Sequence, residues 1–161
     1  MSDAHTQLTN LLTEQHVAYQ LIHHPPEGRT DIVSSMRGHS VREAAKCLIL
    51  IAKVRRQTRY ILAVIPGDRR IDLAAIRQLL GARYVGFAAA ATAERLTGTV
   101  TGTILPFVFN PELELIVDPA VLQNQQLYFN AARLDCSVVM ASADYAKLTR
   151  PRLGHITSQS A

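Results

Sequence analysis

A mixed α/β fold of the α+β kind is what this sequence predicts: a single domain with a mixed, largely antiparallel sheet flanked by helices. Three observations point there. Strand-like runs outnumber the long helical ones along the chain. Several of those runs follow one another through tight turns, which disfavours a doubly wound parallel sheet. The length of 161 residues, 48% hydrophobic and 19% charged, is one domain's worth and can bury a core without disulfides or metals. Residues 1–156 are read as that domain and residues 157–161 as a short polar tail.

The first element is a helix, with Leu8, Leu11 and Leu12 at i, i+3 and i+4 and Ser2 or Asp3 as its cap. A short strand follows at Ala18 to His23. His24-Pro25-Pro26-Glu27-Gly28 must be loop, punctuated by two prolines and a glycine. Ile32, Val33 and Met36 form a short helix that stops at Gly38, and Ser40 with Glu43 has the spacing of a capping box that opens another. Lys46 to Ala52 reads as a buried strand and Tyr60 to Ile65 as its hairpin partner, joined by the basic connector Lys53 to Arg59. Pro66-Gly67-Asp68 ends the hairpin. Asp72 caps a helix that turns Leu73, Ile76, Leu79 and Leu80 inward and ends at Gly81. Ala88 to Leu96 is a further helix, closed by Gly98. Strand-like runs then cover Thr103 to Phe109, Glu112 to Val117, Gln126 to Phe129 and Cys136 to Met140, before a terminal helix at Ser142 to Leu148.

Composition excludes several functions. No apolar run approaches the ~20 residues of a membrane-spanning helix. The N-terminus shows neither a basic region nor a hydrophobic segment of a secretory signal, so a cytoplasmic protein is expected. Cys47 and Cys136 both lie in apolar runs, which fits buried thiols in a reducing compartment. The net charge of +4 permits a polyanionic partner without demanding one. There is no phosphate-binding Gly-x-x-x-x-Gly-Lys-Ser/Thr loop, no Gly-x-Gly-x-x-Gly after a strand, no Gly-x-Ser-x-Gly elbow and no paired Cys-x-x-Cys. The histidines are scattered apart from His23-His24, so no metal site is expected.

Three pieces stand out. Lys46 begins the most hydrophobic strand; it either snorkels to water or holds an anion or polarised carbonyl at the rim of a cleft. Thr97-Gly98-Thr99-Val100-Thr101-Gly102-Thr103-Ile104-Leu105-Pro106 places two glycines and four threonines before an apolar run. It is either a helix cap followed by a turn or a backbone that approaches a ligand and offers it N–H groups. Asn130-Ala131-Ala132-Arg133 is a small-residue turn that lines a pocket or closes a hairpin. Asp118-Pro119 has the form of an N-cap with proline at the first helical position, a structural role.

In this order, Ala45-Lys46-Cys47-Leu48, Ile65-Pro66-Gly67-Asp68 with Ile71-Asp72-Leu73, Thr97-Gly98, the Gly-x-x-x-Pro element Gly102 to Pro106, Asp118 and Asn130 to Arg133 resemble the YbaK / prolyl-tRNA synthetase-associated editing domain family, the free-standing aminoacyl-tRNA deacylases. The resemblance runs from about Leu8 to Leu148. Glu27-Gly28-Arg29-Thr30 through Arg37-Gly38 resembles its YeaK-like subgroup. One departure is Ala131-Ala132, where the family commonly carries glycine; it bears on pocket shape and so on the amino acid accepted.

The resemblance implies the fold of that family and hydrolysis of the ester that joins a wrong, small amino acid (serine, threonine or alanine) to the 3′ end of a tRNA. An aminoacyl ester is already activated, so positioning of water and stabilisation of the oxyanion suffice. It implies Lys46 and Gly102 as catalytic residues and Thr97, Gly98, Thr101, Pro106 and Asn130 as substrate-binding ones. No metal or other cofactor is expected, and no membrane. The expected partners are mischarged tRNA and an aminoacyl-tRNA synthetase. A non-catalytic module that binds aminoacyl-tRNA or a synthetase is the alternative, and a general small-acyl esterase a third reading.

Overall fold

The computed structural model describes residues 3–158. Helix α1 (Ala4–Glu14) starts where the Asp3 carboxylate accepts the Thr6 N–H at 2.8 Å, and it buries Leu8 and Leu12. Ser2, the other expected cap, lies outside the described residues. Strand β1 (Tyr19–His23) and helix α2 (Thr30–Arg37) follow, α2 ending at Gly38 in the left-handed conformation. The Ser40–Glu43 capping box is present and opens a single 3-10 turn, Val41–Glu43.

The long hairpin is β2 (Ala45–Val54) with β3 (Gln57–Pro66), paired in register from Ala45↔Pro66 to Val54↔Gln57. The expected connector is therefore shorter than its sequence suggests. Lys53 and Arg59 lie within the strands, and the turn consists of Arg55 and Arg56, with Arg55 at φ 57°. After β4 (Arg70–Ile71), helix α3 (Leu73–Leu80) is capped by the Asp72 carboxylate and closed by Gly81, as the sequence predicts. Strand β5 (Tyr84–Phe87) has no counterpart in the sequence reading. Helix α4 (Ala90–Thr97) ends at Gly98.

The run Thr103 to Phe109 is not a strand. It is irregular chain that buries Leu105 and Phe107, and Phe107 meets Tyr145 edge-on at 5.3 Å between ring centres. Apolar content there reflects burial, not a ladder. Strand β6 (Leu113–Val117) precedes a 3-10 turn, Pro119–Gln123, capped by Asp118 as expected. The second Asp118 carboxylate oxygen also accepts the Ile156 N–H and the Thr157 hydroxyl, at 3.0 and 2.9 Å. Strand β7 (Gln126–Arg133) pairs with β8 (Cys136–Ala141). Asn130 to Arg133 is thus not a turn but the end of β7, where a bulge shifts the register between Asn130 and Arg133 and sets Ala132 at φ 63°. Helix α5 (Ser142–Thr149) is not terminal. Strands β9 (Arg152–Leu153) and β10 (Thr157–Ser158) follow it, so two residues of the expected tail are paired with β4; residues 159–161 lie outside the described residues.

A five-stranded sheet, ordered β5-β2-β3-β6-β9, and a three-stranded sheet, ordered β1-β8-β7, form the frame. Parallel pairing is confined in the large sheet to β3–β6 and β6–β9, so the mixed, largely antiparallel fold predicted from sequence is the one observed. Strand β3 is buried on both faces. Leu62 and Val64 point into the core shared with β7, β8 and α1, while Ile61, Ala63 and Ile65 point to the layer under α3. Among the described residues no helix is long and apolar enough to cross a membrane.

Candidate active site

The gap between the two sheets positions a cleft. Strand β5 pairs with β2 only from Leu50 to Lys53, and β7 touches the other end through an isolated bridge, Ala44↔Tyr128. Between them, Lys46 to Leu48 have no strand neighbour opposite β3 among the described residues. Ile49 and Lys53 turn their carbonyls away from β3, to Ala88 and Arg83. By the two-residue alternation of a strand, Cys47 does the same with its own backbone groups, facing the gap.

A cleft of about 190 Å³ occupies this gap. One wall is Ala45 to Leu48. A second is α2, whose Thr30, Val33 and Arg37 share a face at i, i+3 and i+7, with Gly28 just before it. The third joins Thr101, Gly102 and Ile104 to Phe129 and Asn130 of β7. Of the residues singled out in the sequence, Lys46, Thr101, Gly102 and Asn130 come together here. Thr97, Gly98 and Pro106 do not line the cleft. The Thr97 hydroxyl donates back to the Ala93 carbonyl at 2.8 Å, Gly98 terminates α4, and the Pro106 carbonyl accepts the buried Tyr145 hydroxyl at 2.7 Å.

Asn130 clamps the site. It is 7% exposed, and its amide nitrogen donates to the carbonyls of Glu27 and Gly102, both at 2.9 Å. Two carbonyl acceptors fix the amide orientation, so Oδ1 must accept, and the fully buried Ser137 hydroxyl donates to it at 2.9 Å. That uses the only Ser137 proton. Arg37 Nη1 donates to Ser137 Oγ at 3.0 Å, and His24 Nε2 lies 2.6 Å from the same oxygen. Gly102 has φ 88°, and a Cβ there would stand 2.9 Å from Gly28 Cα. Its missing side chain faces Gly28 and not the cleft, so glycine serves here to bring two loops together. The Gly102 N–H donates to no acceptor among the described residues.

The electrostatics are one-sided. Among the described residues, Arg37 and Lys46 are the only charged ones that line the cleft, and no carboxylate or imidazole does. Arg37 is half-buried; desolvation lowers its pKa to about 10, which leaves it a cation at neutral pH. Its Nε donates to His39 Nε2 at 2.9 Å, while His39 Nδ1 donates to the Ser40 carbonyl and the ring stacks on Tyr128 at 3.7 Å. Burial, with the charge of Arg37, holds His39 below the ordinary histidine range. Burial pushes the Cys47 thiol pKa well up, which disfavours the thiolate. Among the described residues no group of three or more His, Cys, Asp or Glu is gathered as a metal site.

Sequence reasoning missed Gly28, Thr30, Val33 and Arg37. The signal for the last three was their helical spacing toward one face, which the short Ile32-Val33-Met36 pattern masked. Arg59, read as part of a basic connector, is paired with Glu114, its Nε donating at 2.7 Å.

Residues 24–148 match the family profile described as the aminoacyl-tRNA editing domain. Over 153 residues the chain is 32% identical to the multifunctional Ser/Thr-tRNA deacylase ProXp-y of Escherichia coli (strain K12), covering 94% of this chain and 92% of that one. A proline–tRNA ligase of Bacillus licheniformis is 28% identical over 102 residues, 63% of this chain but 17% of the ligase. Among solved structures, a hypothetical protein superposes with a TM-score of 0.86 at 21% identity, covering 94% and 99% of the two chains. A candidate trans-editing enzyme for prolyl-tRNA synthetase superposes at 0.81 with 17% identity, covering 98% and 99%, and shares the fold. With that profile across most of its length and the deacylase aligned nearly end to end, the chain belongs to the aminoacyl-tRNA editing domain family.

Proposed function

We infer that this protein is a trans-editing aminoacyl-tRNA deacylase: it hydrolyses the ester of tRNA charged with the wrong, small amino acid. The observation that carries this is a cleft that gathers Lys46, Thr101, Gly102 and Asn130, in a chain aligned nearly end to end with a Ser/Thr-tRNA deacylase. The chemistry fits the residues. Among the described residues no carboxylate, imidazole or activated thiol lines the cleft, so its walls lack the ordinary general bases and a thiolate nucleophile. An ester that needs neither, only a placed water and oxyanion donors, is the substrate such a site can turn over. The open Gly102 N–H is the candidate donor, and the loss of one such donor costs about 3–4 kcal/mol of transition-state stabilisation. Lys46 meets the ester carbonyl or the terminal phosphate. The vicinal hydroxyl of the tRNA is the remaining group that can help to activate water.

Serine, threonine and alanine are the proposed amino acids, because a small pocket excludes each extra methylene by about 1–3 kcal/mol. Thr97, Gly98 and Pro106 then act on the substrate only through the loop they frame. A donor set without histidine or carboxylate supports a reaction that needs no metal. The likeness to a proline–tRNA ligase supports a synthetase as a further partner.

The test is release of free amino acid from a panel of mischarged tRNAs, before and after Lys46→Ala. Hydrolysis of seryl-, threonyl- or alanyl-tRNA, undiminished by EDTA, is expected. A folded Lys46→Ala protein should lose about ten- to hundred-fold in kcat/KM, the worth of one charge-assisted contact. Binding of the panel without hydrolysis would favour a non-catalytic module. Equal hydrolysis of simple acyl esters would favour a general esterase.

A further inference from the structure

We propose that Arg37 is the phosphate-binding residue of the cleft and takes the 5′-phosphate of the substrate's terminal nucleotide. The proposal deepens the deacylase reading and rests on it for the identity of the ligand. The cation has no countercharge of its own. It lines the cleft half-buried, and its two fixed contacts, His39 Nε2 at 2.9 Å and Ser137 Oγ at 3.0 Å, are to neutral groups. Among the described residues it forms no ion pair. Of the carboxylates near its wall, Glu27 accepts the backbone N–H groups of Gly28 and Arg29, Glu43 accepts the Ser40 N–H, and Asp31 is exposed in the first turn of α2.

A partly desolvated guanidinium without an acid is costly unless an anion is supplied from outside. A guanidinium carries five N–H donors in a fixed fork, and two are occupied here, so three stay available for phosphate oxygens. His39 and Ser137 hold the fork at Nε and Nη1, which pre-orients it. In the 3′ end of an aminoacyl-tRNA, phosphate is the only anion: the ester is neutral and the α-amino group is a cation. Phosphate on Arg37 leaves Lys46 for the ester carbonyl. It also ties substrate binding to the oxyanion loop, since Arg37 holds Ser137, Ser137 holds Asn130, and Asn130 holds the Gly102 carbonyl.

The test compares adenosine 5′-monophosphate with adenosine as probes, by calorimetry or NMR titration, on wild type, Arg37→Gln and Arg37→Lys. Wild type should bind the monophosphate at least tenfold more tightly than adenosine. Arg37→Gln, shown folded by melting, should bring the ratio below about threefold, the loss of a charge-assisted pair. Arg37→Lys should fall between, because the fork is lost and the charge kept. The proposal is overturned by a wild type without preference for the monophosphate, by an unchanged ratio in Arg37→Gln, or by free serine binding more tightly than the monophosphate, which would make a carboxylate the ligand. If Arg37→Gln does not fold, the Arg37→Lys ratio decides, and a ratio equal to wild type overturns it. Deacylation is measured in parallel on mischarged tRNA and on 3′-O-seryl-adenosine, which lacks the phosphate. Arg37→Gln should lose tenfold or more in kcat/KM on the first and less than threefold on the second; equal losses overturn the phosphate role. A wild type that binds the monophosphate but cleaves neither ester would sink the deacylase reading and leave Arg37 as an anion site.

Discussion

Gly98 and Gly102 sit four positions apart in one threonine-rich segment, both with positive φ, at 69° and 88°. They do different work. Gly98 ends α4, and a Cβ there would meet nothing within 4 Å. Gly102 packs on Gly28, and a Cβ would press on backbone at 2.9 Å. The first glycine answers only to its own dihedral angles. The second answers to a neighbouring loop, and that closeness lets Gly28 and Gly102 form adjoining parts of the cleft wall. Conformation alone therefore does not tell a site glycine from a capping one; what lies beyond its missing side chain does.

The largest break in this comparison is Gly102→Val. Left-handed strain of about 1–2 kcal/mol adds to displacement of the Gly28 loop, for a total near ~3 kcal/mol or more. Melting temperature and deacylation should fall together, and a wild-type melting curve would refute the loop contact. Next comes Asn130→Ala, which strands the Glu27 and Gly102 carbonyls and the Ser137 hydroxyl. An orphaned polar group costs about 1–3 kcal/mol where it is buried, as the Ser137 hydroxyl is, and less where water reaches it. Urea unfolding should report a loss of ~2–3 kcal/mol, and single-turnover assays a fall of tenfold or more in rate. Lost stability at full rate would make the clamp purely structural. Gly98→Ala should cost only about 1 kcal/mol, with kcat/KM within roughly twofold of wild type. Collapse of activity at an intact melting temperature would put Gly98 back in the site.

The smallest effect is a pH dependence. His39 accepts the Arg37 Nε–H, so protonation sets two donors against each other. Its pKa is lowered in the folded state, chiefly by desolvation, with Arg37 adding to the shift. The neutral form is thus favoured by folding. The contribution is complete above the unfolded value of ~6.5 and is lost as pH falls through the lower folded value. Thermal melts from pH 7.5 to 5 should show this decline in wild type and a flatter profile in His39→Gln. Parallel profiles would remove His39 from the linkage.

Local chemistry made much of the fold legible. Asp72 with Gly81, the Ser40–Glu43 box and Asp118-Pro119 each satisfy or terminate backbone groups within a few residues, so neighbours in sequence suffice to read them. Thr103 to Phe109 misled because its apolar side chains are buried from an irregular backbone, with Phe107 set against Phe129 and Tyr145. Strand β5 has four residues, Gly86 among them, and takes its order from β2. The bulge at Ala132 looked like a turn because small residues serve both. In the site, Lys46, Gly102 and Asn130 could be singled out by their settings. Arg37 could not. A basic residue in the last turn of a helix reads as complement to the helix dipole, and the contact that gives it meaning, Ser137, is 100 positions away.

The pairing of β1 with β8 has a consequence for a chain made from its N-terminus. Helix α1 and β1 emerge first, yet His5 bonds to the Ala131 carbonyl 126 positions on, and His24 to Ser137 113 positions on. Contacts of such separation slow folding, because the intervening loop must be closed before they contribute. The cleft joins Gly28 and Arg37, made early, to Asn130, made late. A nascent chain that has released its first hundred or so residues carries the sequence of the hairpin and of the α2 wall, but lacks Phe129 and Asn130 of the third. Deacylation should therefore appear only once β7 and β8 have left the ribosome.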